Sequence, residues 1–151
     1  MSRVDFAYGA AHRLRAACRT AARHAQAGHR LLVYCTDPRR LKRFDTLLWE
    51  FDPVSFIPHA RADDPLAEQA DVVLVADAAA LAAAPATGWL LNLDLDCPPD
   101  ARRHTRILEI VSGHEADQQA ARARWAAYKQ AGYEIRSHQL PKTAPEGTHS
   151  R

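Results

Sequence analysis

The stretch Leu31-Leu32-Val33-Tyr34-Cys35 decides the fold class, because it is an uninterrupted apolar run of strand length. A strand that is apolar at every position is typical of a parallel sheet whose two faces are both covered by helices. Gly28 precedes the run, and Thr36 or Asp37 follows as a helix N-cap, with Pro38 in the first turn. The pattern therefore predicts a buried strand that is followed at once by a helix.

Apolar runs and helical spacings alternate on both sides of this strand. Helical spacing predicts a first helix over about residues 14–27, with Gly28 just beyond its end and Arg13 off its buried face. The next helix carries Phe44 inward, and a short helix and a long one are expected at 78–84 and 115–131. Further strands are expected at 4–8, 71–76, 89–95, 106–111 and 133–136, and residues 60–70 are expected to form an acidic loop.

Strands that alternate with helices along a whole chain predict a Rossmann-like three-layer α/β sandwich, with a mainly parallel sheet flanked by helices. The 151 residues fit one domain, predicted over 1–140. Residues 141–151 are polar and proline-bearing, and we expect them to be disordered. No apolar run reaches the length of a membrane span and no signal peptide precedes the first strand, so we expect a soluble, cytoplasmic protein.

The apolar content of 47% includes 30 alanines, which predicts close helix packing around a few larger anchors. Three cysteines give no paired spacing. Cys18 lies on the first predicted helix and Cys35 in the apolar run, so we expect both to behave as small hydrophobic residues. Cys97 has no histidine near it in sequence that would activate its thiol.

Charge is distributed unevenly, although the formal net charge is only +2. Residues 1–43 carry net +8, residues 44–100 net −10 and residues 101–151 net +4. This segregation predicts separate positive and negative surfaces that would steer an acidic partner. It differs from the one-sided basic balance of a protein that grips duplex DNA, so we expect no direct contact with nucleic acid. The alternative is nucleic-acid binding through the arginine-rich first helix.

No nucleotide-binding or catalytic motif occurs in the chain. The turn Gly9-Ala10-Ala11-His12 is not a dinucleotide fingerprint, and there is no phosphate-binding P-loop sequence, so we expect no cofactor. Asp94 and Asp96 leave the same side of a strand and would allow a Mg²⁺ site in a degenerate nucleotide-binding or hydrolysing enzyme. The simpler interpretation is that they end the strand. We likewise expect His59 to cap a turn rather than to act as a ligand or base.

Two segments carry aromatic residues in unusual surroundings. The first is Leu47-Leu48-Trp49-Glu50-Phe51-Asp52-Pro53-Val54-Ser55-Phe56-Ile57-Pro58-His59, where prolines restrict the backbone around Trp49 and Phe56. Aromatic rings held in this way either plug one end of the core or form a rigid surface for a partner.

The second segment is the long helix at 115–131. The following alanines recur at helical spacing and are expected to face the sheet: Ala116, Ala120, Ala123, Ala127 and Ala131. Gln118, Arg122, Trp125 and Lys129 then point outward. Trp125 either folds over the sheet edge as peripheral core or forms an apolar shelf rimmed by positive charge. The latter suits a short acidic peptide that ends in an aromatic residue.

Both segments resemble one known family. Leu-Trp followed by Pro and by Ser-Phe-Ile-Pro-His, at 47–59, resembles a signature of the chi subunit of bacterial DNA polymerase III holoenzyme, a clamp-loader accessory protein. Arg-Ala-Arg-Trp-Ala-Ala-Tyr-Lys-Gln-Ala-Gly-Tyr, at 122–133, resembles a second block of the same family, and a weaker resemblance runs over about 3–140. The resemblance implies a non-catalytic replication subunit that needs no cofactor.

The resemblance also implies two partners. Arg122 and Trp125 occupy positions that bind the acidic C-terminal tail of single-stranded-DNA-binding protein, whose last residue is phenylalanine, and Lys129 is expected to assist them. Trp49, Phe56 and Pro58 match positions that contact the psi subunit, which tethers chi to the clamp loader. We expect psi, or another partner using the same patch, to bind there.

The chain departs from the family pattern at two tail-binding positions. Gln118 and Ala126 stand where lysines often occur in the enterobacterial form. The resemblance therefore implies either a lower affinity for the tail or compensation by Lys129, Arg124 or Arg136.

Overall fold

A computed structural model of the protein describes residues 2–51, 57–84 and 88–141. Phe56 and the predicted disordered tail after Pro141 therefore lie outside the described residues. The strands are β1 (Arg3–Ala10), β2 (Leu31–Tyr34), β3 (His59–Arg61), β4 (Val72–Val75), β5 (Trp89–Asn92), β6 (Arg106–Ser112) and β7 (Glu134–Gln139). The α-helices are α1 (Arg13–Gln26), α2 (Pro38–Phe51), α3 (Ala78–Ala83) and α4 (Glu115–Gln130). Short 3₁₀ helices span Pro65–Gln69 and Ala101–Arg103.

The strands form one sheet in the order β3-β4-β2-β5-β6-β1-β7. Every pairing among the described strands is parallel, so the predicted α/β sandwich is confirmed. The run that predicted a central strand is β2, which is buried at all four positions and pairs with β4 and β5.

Helices cover both faces of the sheet. On one face α1 and α2 pack over a core that includes Leu31, Val33, Phe44 and Leu91. On the other face, Leu81 of α3 packs over Leu32, Tyr34, Val73 and Val75, while α4 covers β1 and β6. Because the strands are all parallel, the loops that lead into the helices gather at the carboxyl edge of the sheet, where ligands bind in folds of this kind.

Side-chain caps set several helix starts. Asp37 accepts hydrogen bonds from the backbone N–H groups of Arg39 (3.0 Å) and Arg40 (3.3 Å), and Pro38 opens α2 as predicted. Gly28 follows α1 with a φ of +85°, the left-handed conformation expected after a helix end. Cys18 and Cys35 are buried as predicted, and burial raises the pKa of the Cys18 thiol to about 12.

Two predictions of local structure were wrong. Residues 60–70 are not only a loop, because β3 adds an edge strand to the sheet and a 3₁₀ helix follows it. The strand predicted at 89–95 ends at Asn92, where the chain turns and leaves Leu95 49% exposed. The alternation of apolar residues continues to Leu95, so sequence pattern alone could not locate this end.

The predicted inward face of α4 was also wrong. Its buried residues are Ala121, Arg124 and Tyr128, whereas four of the alanines expected to face the sheet are exposed: Ala116, Ala123, Ala127 and Ala131. Arg124 takes a central inward position because its ion-pair partner, Glu109, lies on β6. Spacing of small residues alone could not anticipate this pairing.

Candidate functional site

An open cleft of about 610 Å³ lies between α4 and the strands β1, β6 and β7. Its apolar walls include Phe6 and Tyr8 of β1 and Ala121 and Trp125 of α4. The strand alternation that places Phe6 and Tyr8 on the same face turns both toward α4. Phe6 is buried beneath the helix, whereas Tyr8 lies beyond it and is 44% exposed. The cleft is thus an aromatic surface that opens to solvent.

Trp125 forms one wall of this cleft. Its ring packs against Phe6 with a centroid distance of 5.0 Å and an interplanar angle of 48°, and the side chain is partly exposed. Both interpretations of Trp125 from the sequence therefore hold. One part of the ring completes the core over β1, and the remainder borders the cleft.

Arg122 supplies positive charge at the rim. It lines the cleft and is exposed, and it makes no ion pair with any residue in the described ranges. A guanidinium in this state can form a bidentate pair with a carboxylate. The cleft therefore combines apolar walls with an available cation.

The neighbouring positions differ in their relation to the cleft. Gln118 lines it, one helical turn before Arg122. Ala126 and Lys129 are exposed but do not line it. Lys129 follows Arg122 by two turns on nearly the same side of α4, about 10.5 Å along the axis. Lys129 can meet a ligand that extends beyond the cleft.

Of the two arginines expected to compensate for missing lysines, Arg124 does not lie on the surface. Its side chain is 1% exposed and its Nε donates to Glu109 at 3.0 Å. That prediction for Arg124 was wrong, because the residue sits on the inward side of α4. Arg136 is exposed on β7, where Glu134 pairs with it at 2.7 Å.

A buried polar network fixes α4 against the sheet. Glu109 on β6 accepts hydrogen bonds from Arg124 Nε, from Tyr128 Oη at 2.7 Å and from Asn92 Nδ2 at 2.9 Å. Burial raises the pKa of the Glu109 carboxyl, and Arg124, Asn92 and Tyr128 oppose that shift. Burial followed by the neighbouring Glu109 raises the pKa of Tyr128. This network sets the rotation of α4 and thereby turns Arg122 and Trp125 to the cleft.

A bulge in β1 shapes the floor of the cleft. The register with β6 shifts between Tyr8 and Ala10, so Gly9 is the extra residue. Gly9 has a φ of +86°, which side chains rarely tolerate, and a Cβ there would lie 3.4 Å from Gln139 Cγ. Bulges often re-aim side chains beside functional sites. Tyr8 and Gly9 were not predicted as site residues, and their position beside α4 depends on contacts more than 100 residues apart in the chain.

A second aromatic surface lies at the end of α2. Trp49 is 56% exposed and Phe51 37% exposed, so Trp49 does not plug the core. The Trp49 ring packs against the His59 ring with a centroid distance of 4.6 Å and an interplanar angle of 57°. Ile57 O at 2.9 Å and Asp45 Oδ1 at 2.8 Å hold the His59 ring in place. Through these contacts His59 links the start of β3 to α2.

Pro58, the third residue of the predicted psi-binding set, lies beside these rings and is partly exposed. Its carbonyl accepts from the N–H groups of Asp71 (2.9 Å) and Val72 (3.2 Å), which fixes the start of the edge strand β3. The structure thus brings Trp49 and Pro58 to one region, while Phe56 falls outside the described residues.

The carboxylates considered for Mg²⁺ differ in environment. Asp94 is 9% exposed, and its two oxygens accept from the N–H (2.7 Å) and the hydroxyl (2.9 Å) of Thr36. These hydrogen bonds connect the ends of β5 and β2 and give Asp94 a structural role. Asp96 is exposed. Within residues 2–51, 57–84 and 88–141, no three histidine, cysteine or acidic side chains gather as metal ligands would.

The crevice at the carboxyl ends of β5 and β6 is occupied by Arg13, a residue that sequence reasoning treated as a surface arginine. Its Nε donates to Ile110 O at 3.0 Å and its Nη1 to Leu93 O at 2.9 Å, while Asp117 Oδ1 lies 3.7 Å from Nε. Burial lowers the pKa of Arg13, and Asp117 opposes the shift. The chain's own side chain thus fills the place where open α/β sheets usually hold a ligand.

The fold and the cleft together define an open parallel α/β protein with an aromatic, cation-rimmed surface site. Residues 1–136 match the family model described as DNA polymerase III chi subunit, HolC. The DNA polymerase III subunit chi of Pseudomonas aeruginosa is 32% identical over 148 residues, covering 94% of this chain and 99% of that protein. The Escherichia coli subunit of the same name is 27% identical over 118 residues, covering 78% and 79%.

The chain belongs to the DNA polymerase III chi subunit family. It is therefore a replication accessory protein, and it associates with the replication complex. The family resemblance predicted from 47–59 and 122–133 is confirmed.

Solved structures of low identity share only the fold. T4 UvsW (8% identical) and the C-terminal domain of S. cerevisiae Dbp5, solved bound to Gle1 (9% identical), each superpose with a TM-score of 0.59 over 92% of this chain. The match spans 41% of the UvsW chain and 90% of the Dbp5 chain. None of the helices in the described part of the chain has the length and apolar character needed to cross a bilayer.

Proposed function

We propose that the chain is a non-catalytic adaptor of the clamp loader, and that the cleft beside α4 binds the acidic C-terminal tail of single-stranded-DNA-binding protein. The observation that carries the proposal is the exposed Arg122, which has no ion pair with any described residue, next to the partly exposed Trp125 in an aromatic cleft. An adaptor of this kind connects the replicase to template coated with the binding protein.

The chemistry of the cleft suits a tail that ends in phenylalanine. The terminal ring would pack against Trp125 and Tyr8, since aromatic pairs gain energy beyond the area they bury. The acids that precede the terminal residue would meet Arg122, and the terminal carboxylate would extend toward Lys129, seven residues later on α4. The cleft holds a single described cation at its rim, so the aromatic contact must carry much of the affinity.

The test is a calorimetric titration with two synthetic tail peptides, one complete and one without its final phenylalanine. We expect the shortened peptide to bind about tenfold more weakly or worse, because burying a phenylalanine side chain contributes about 1.5–3 kcal/mol. A peptide of the same composition with the phenylalanine moved away from the end is the control. Equal affinity for all three peptides would reject the proposed role of the cleft.

We also propose that the surface at the end of α2, with Trp49, Phe56 and Pro58, docks the psi subunit or another partner that uses the same patch. The exposure of Trp49 and Phe51 supports this role. Trp49 rests on His59, which Asp45 and Ile57 hold in place. A preorganised aromatic surface lowers the ordering cost of binding.

Trp49→Ala should weaken the complex with psi by about 1–2 kcal/mol, since exposed aromatic anchors at interfaces often contribute this much. A pull-down of psi followed by titration measures the loss. Leu66→Ala is the matched control, because Leu66 is an exposed apolar residue (61%) in the 3₁₀ helix Pro65–Gln69. The Trp49→Ala variant should still bind the tail peptide. If it loses binding of both psi and the tail peptide, the cause is misfolding rather than loss of a psi site.

A further inference from the structure

Two further depressions follow the cleft in sequence across the surface, the first adjoining the cleft and the second adjoining the first. The first, of about 300 Å³, shares Ser112 with the cleft and lies over the carboxyl edge of the sheet, between the first turns of α1 and α4. The second, of about 540 Å³, shares Leu14 and Arg40 with the first and lies along α2. Each depression shares lining residues with the next one, so the three form a continuous series that runs from the α4 face to the α2 face.

The far depression, here called the basic groove, is lined by Leu14, Arg39, Arg40, Lys42 and Arg43. Arg39, Lys42 and Arg43 are exposed, and within the described ranges none of them has an ion pair. Arg40 lies 3.6 Å from Asp37 and donates to Leu93 O at 3.3 Å. Most of the positive charge in the groove is therefore available to a ligand.

Two of the cations in the groove lie at the end of α2 where the helix dipole does not favour positive charge. The first turn of α2 contains Arg39 and Arg40 and no acidic residue. Cations near a helix N-terminus interact unfavourably with the helix dipole. Their positions are better explained by an anionic partner than by the stability of α2.

The middle depression presents little negative charge to such a partner. Its one lining carboxylate, Asp117, accepts from the N–H and hydroxyl of Ser112, each at 2.7 Å, and Arg13 lies 3.7 Å away. Leu95, 49% exposed, lines the same depression and offers an apolar contact. An acidic chain can therefore cross here without meeting an unpaired carboxylate of the wall.

We propose that an acidic peptide whose C-terminus occupies the Trp125 cleft continues over the carboxyl edge of the sheet and places its upstream carboxylates in the basic groove. This inference rests on the tail-binding function proposed above and extends it to residues of α2. Arginine side chains bind carboxylates through paired hydrogen bonds. None of the described residues lining the groove is aromatic, whereas binding of single-stranded nucleic acid depends on stacking of bases on aromatic rings.

The sheet order gives the minimum length of such a peptide. From β1 beside the cleft to β2, which leads into α2, there are three strand spacings, across β6 and β5. At about 4.8 Å each they span about 14 Å, which takes at least about four extended residues. Carboxylates within the last four residues would remain at the cleft, and only those farther upstream would reach the groove.

The experiment compares a four-residue and a twelve-residue tail peptide on the whole chain and on the double variant Arg39→Ala/Arg43→Ala. We expect the double variant to bind the long peptide about three- to tenfold more weakly, as for loss of exposed ion pairs, and the short peptide equally well. The difference in long-peptide affinity between the two proteins should shrink at high salt, because screening weakens exposed ion pairs. Equal binding of the long peptide by both proteins would overturn the inference.

Arg23→Ala/Arg61→Ala is the matched control, because both arginines are exposed and lie outside the three depressions. It removes the same charge and should leave both affinities unchanged; an equal loss in the control would attribute the effect to net charge and overturn the inference. If neither peptide binds the unmodified chain, the proposed function and this inference both fail. If both bind but Arg39 and Arg43 prove indifferent, only the inference fails. A single-stranded oligonucleotide is titrated against the same proteins. If Arg39→Ala/Arg43→Ala weakens binding of the oligonucleotide but not of the long peptide, the groove binds nucleic acid instead.

Discussion

Arg124→Ala should lower the free energy of unfolding by about 3–5 kcal/mol, the usual cost of removing one member of a buried ion pair. Arg124 is 1% exposed, its Nε donates to Glu109 at 3.0 Å and its Nη1 donates to Leu95 O at 3.0 Å. Without it, the Glu109 carboxylate remains buried and loses its main opposing charge. Urea denaturation followed by far-UV circular dichroism measures the change.

The matched control is Arg122→Ala, two residues earlier on the same helix. Arg122 is exposed and unpaired within the described residues, so its removal should change stability by no more than about 0.5 kcal/mol. A double-mutant cycle with Glu109→Ala completes the test. The double variant should lose less than the sum of the two single losses, since the unpaired charge is gone. Additive losses, or a small effect of Arg124→Ala alone, would show that the pair contributes little.

The Glu109 network also explains what the sequence did and did not predict about α4. The existence of the helix followed from helical spacing over 115–131, and the observed limits, Glu115–Gln130, agree with that range. Its rotation did not follow, because alanine spacing favoured a different inward face. Arg124 takes an inward position because Glu109, 15 residues earlier on β6, accepts a hydrogen bond from its guanidinium. Patterns within one helix cannot reveal a partner on another element.

Strands buried on both faces were easier to predict than edge strands. β2 and β4 are apolar at every position and are confirmed. β3 is a three-residue edge strand with the sequence His-Ala-Arg, in which no apolar period is visible. It forms because the chain continues from Pro58, whose carbonyl accepts from Asp71 and Val72, into register with β4.

The candidate site was predicted in part. Arg122 and Trp125 were identified from the outward stripe of α4 and from the family resemblance. The opposite wall, Phe6 with Tyr8, was not, although their alternation in β1 shows that they share a face. Locating that wall requires the strand order, which places β1 between β6 and β7. This strand order places segments side by side that are far apart in the sequence, and a single sequence carries no local signal for such pairings.

Trp125→Ala should weaken binding of the complete tail peptide by about 2–3 kcal/mol, the range of an aromatic hot spot. The loss has two sources: the apolar wall that would contact the terminal phenylalanine, and the packing on Phe6 at 5.0 Å that holds this wall in place. Trp125→Phe should recover part of the affinity, since a smaller ring retains the contact with Phe6. Isothermal titration of the purified variants measures both changes.

Arg122→Ala should weaken the same complex by an amount that falls as salt is raised, whereas the Trp125→Ala loss should hardly depend on salt. This contrast separates the charged rim from the aromatic wall, which affinity alone does not. Gln130→Ala is the control, because Gln130 is exposed on α4 and does not line the cleft. Thermal melting of each variant shows whether it remains folded. A folded Trp125→Ala protein that binds the tail as tightly as the unmodified chain would place the tail site elsewhere, because Trp125 is the only aromatic side chain of α4 among the described lining residues of the cleft.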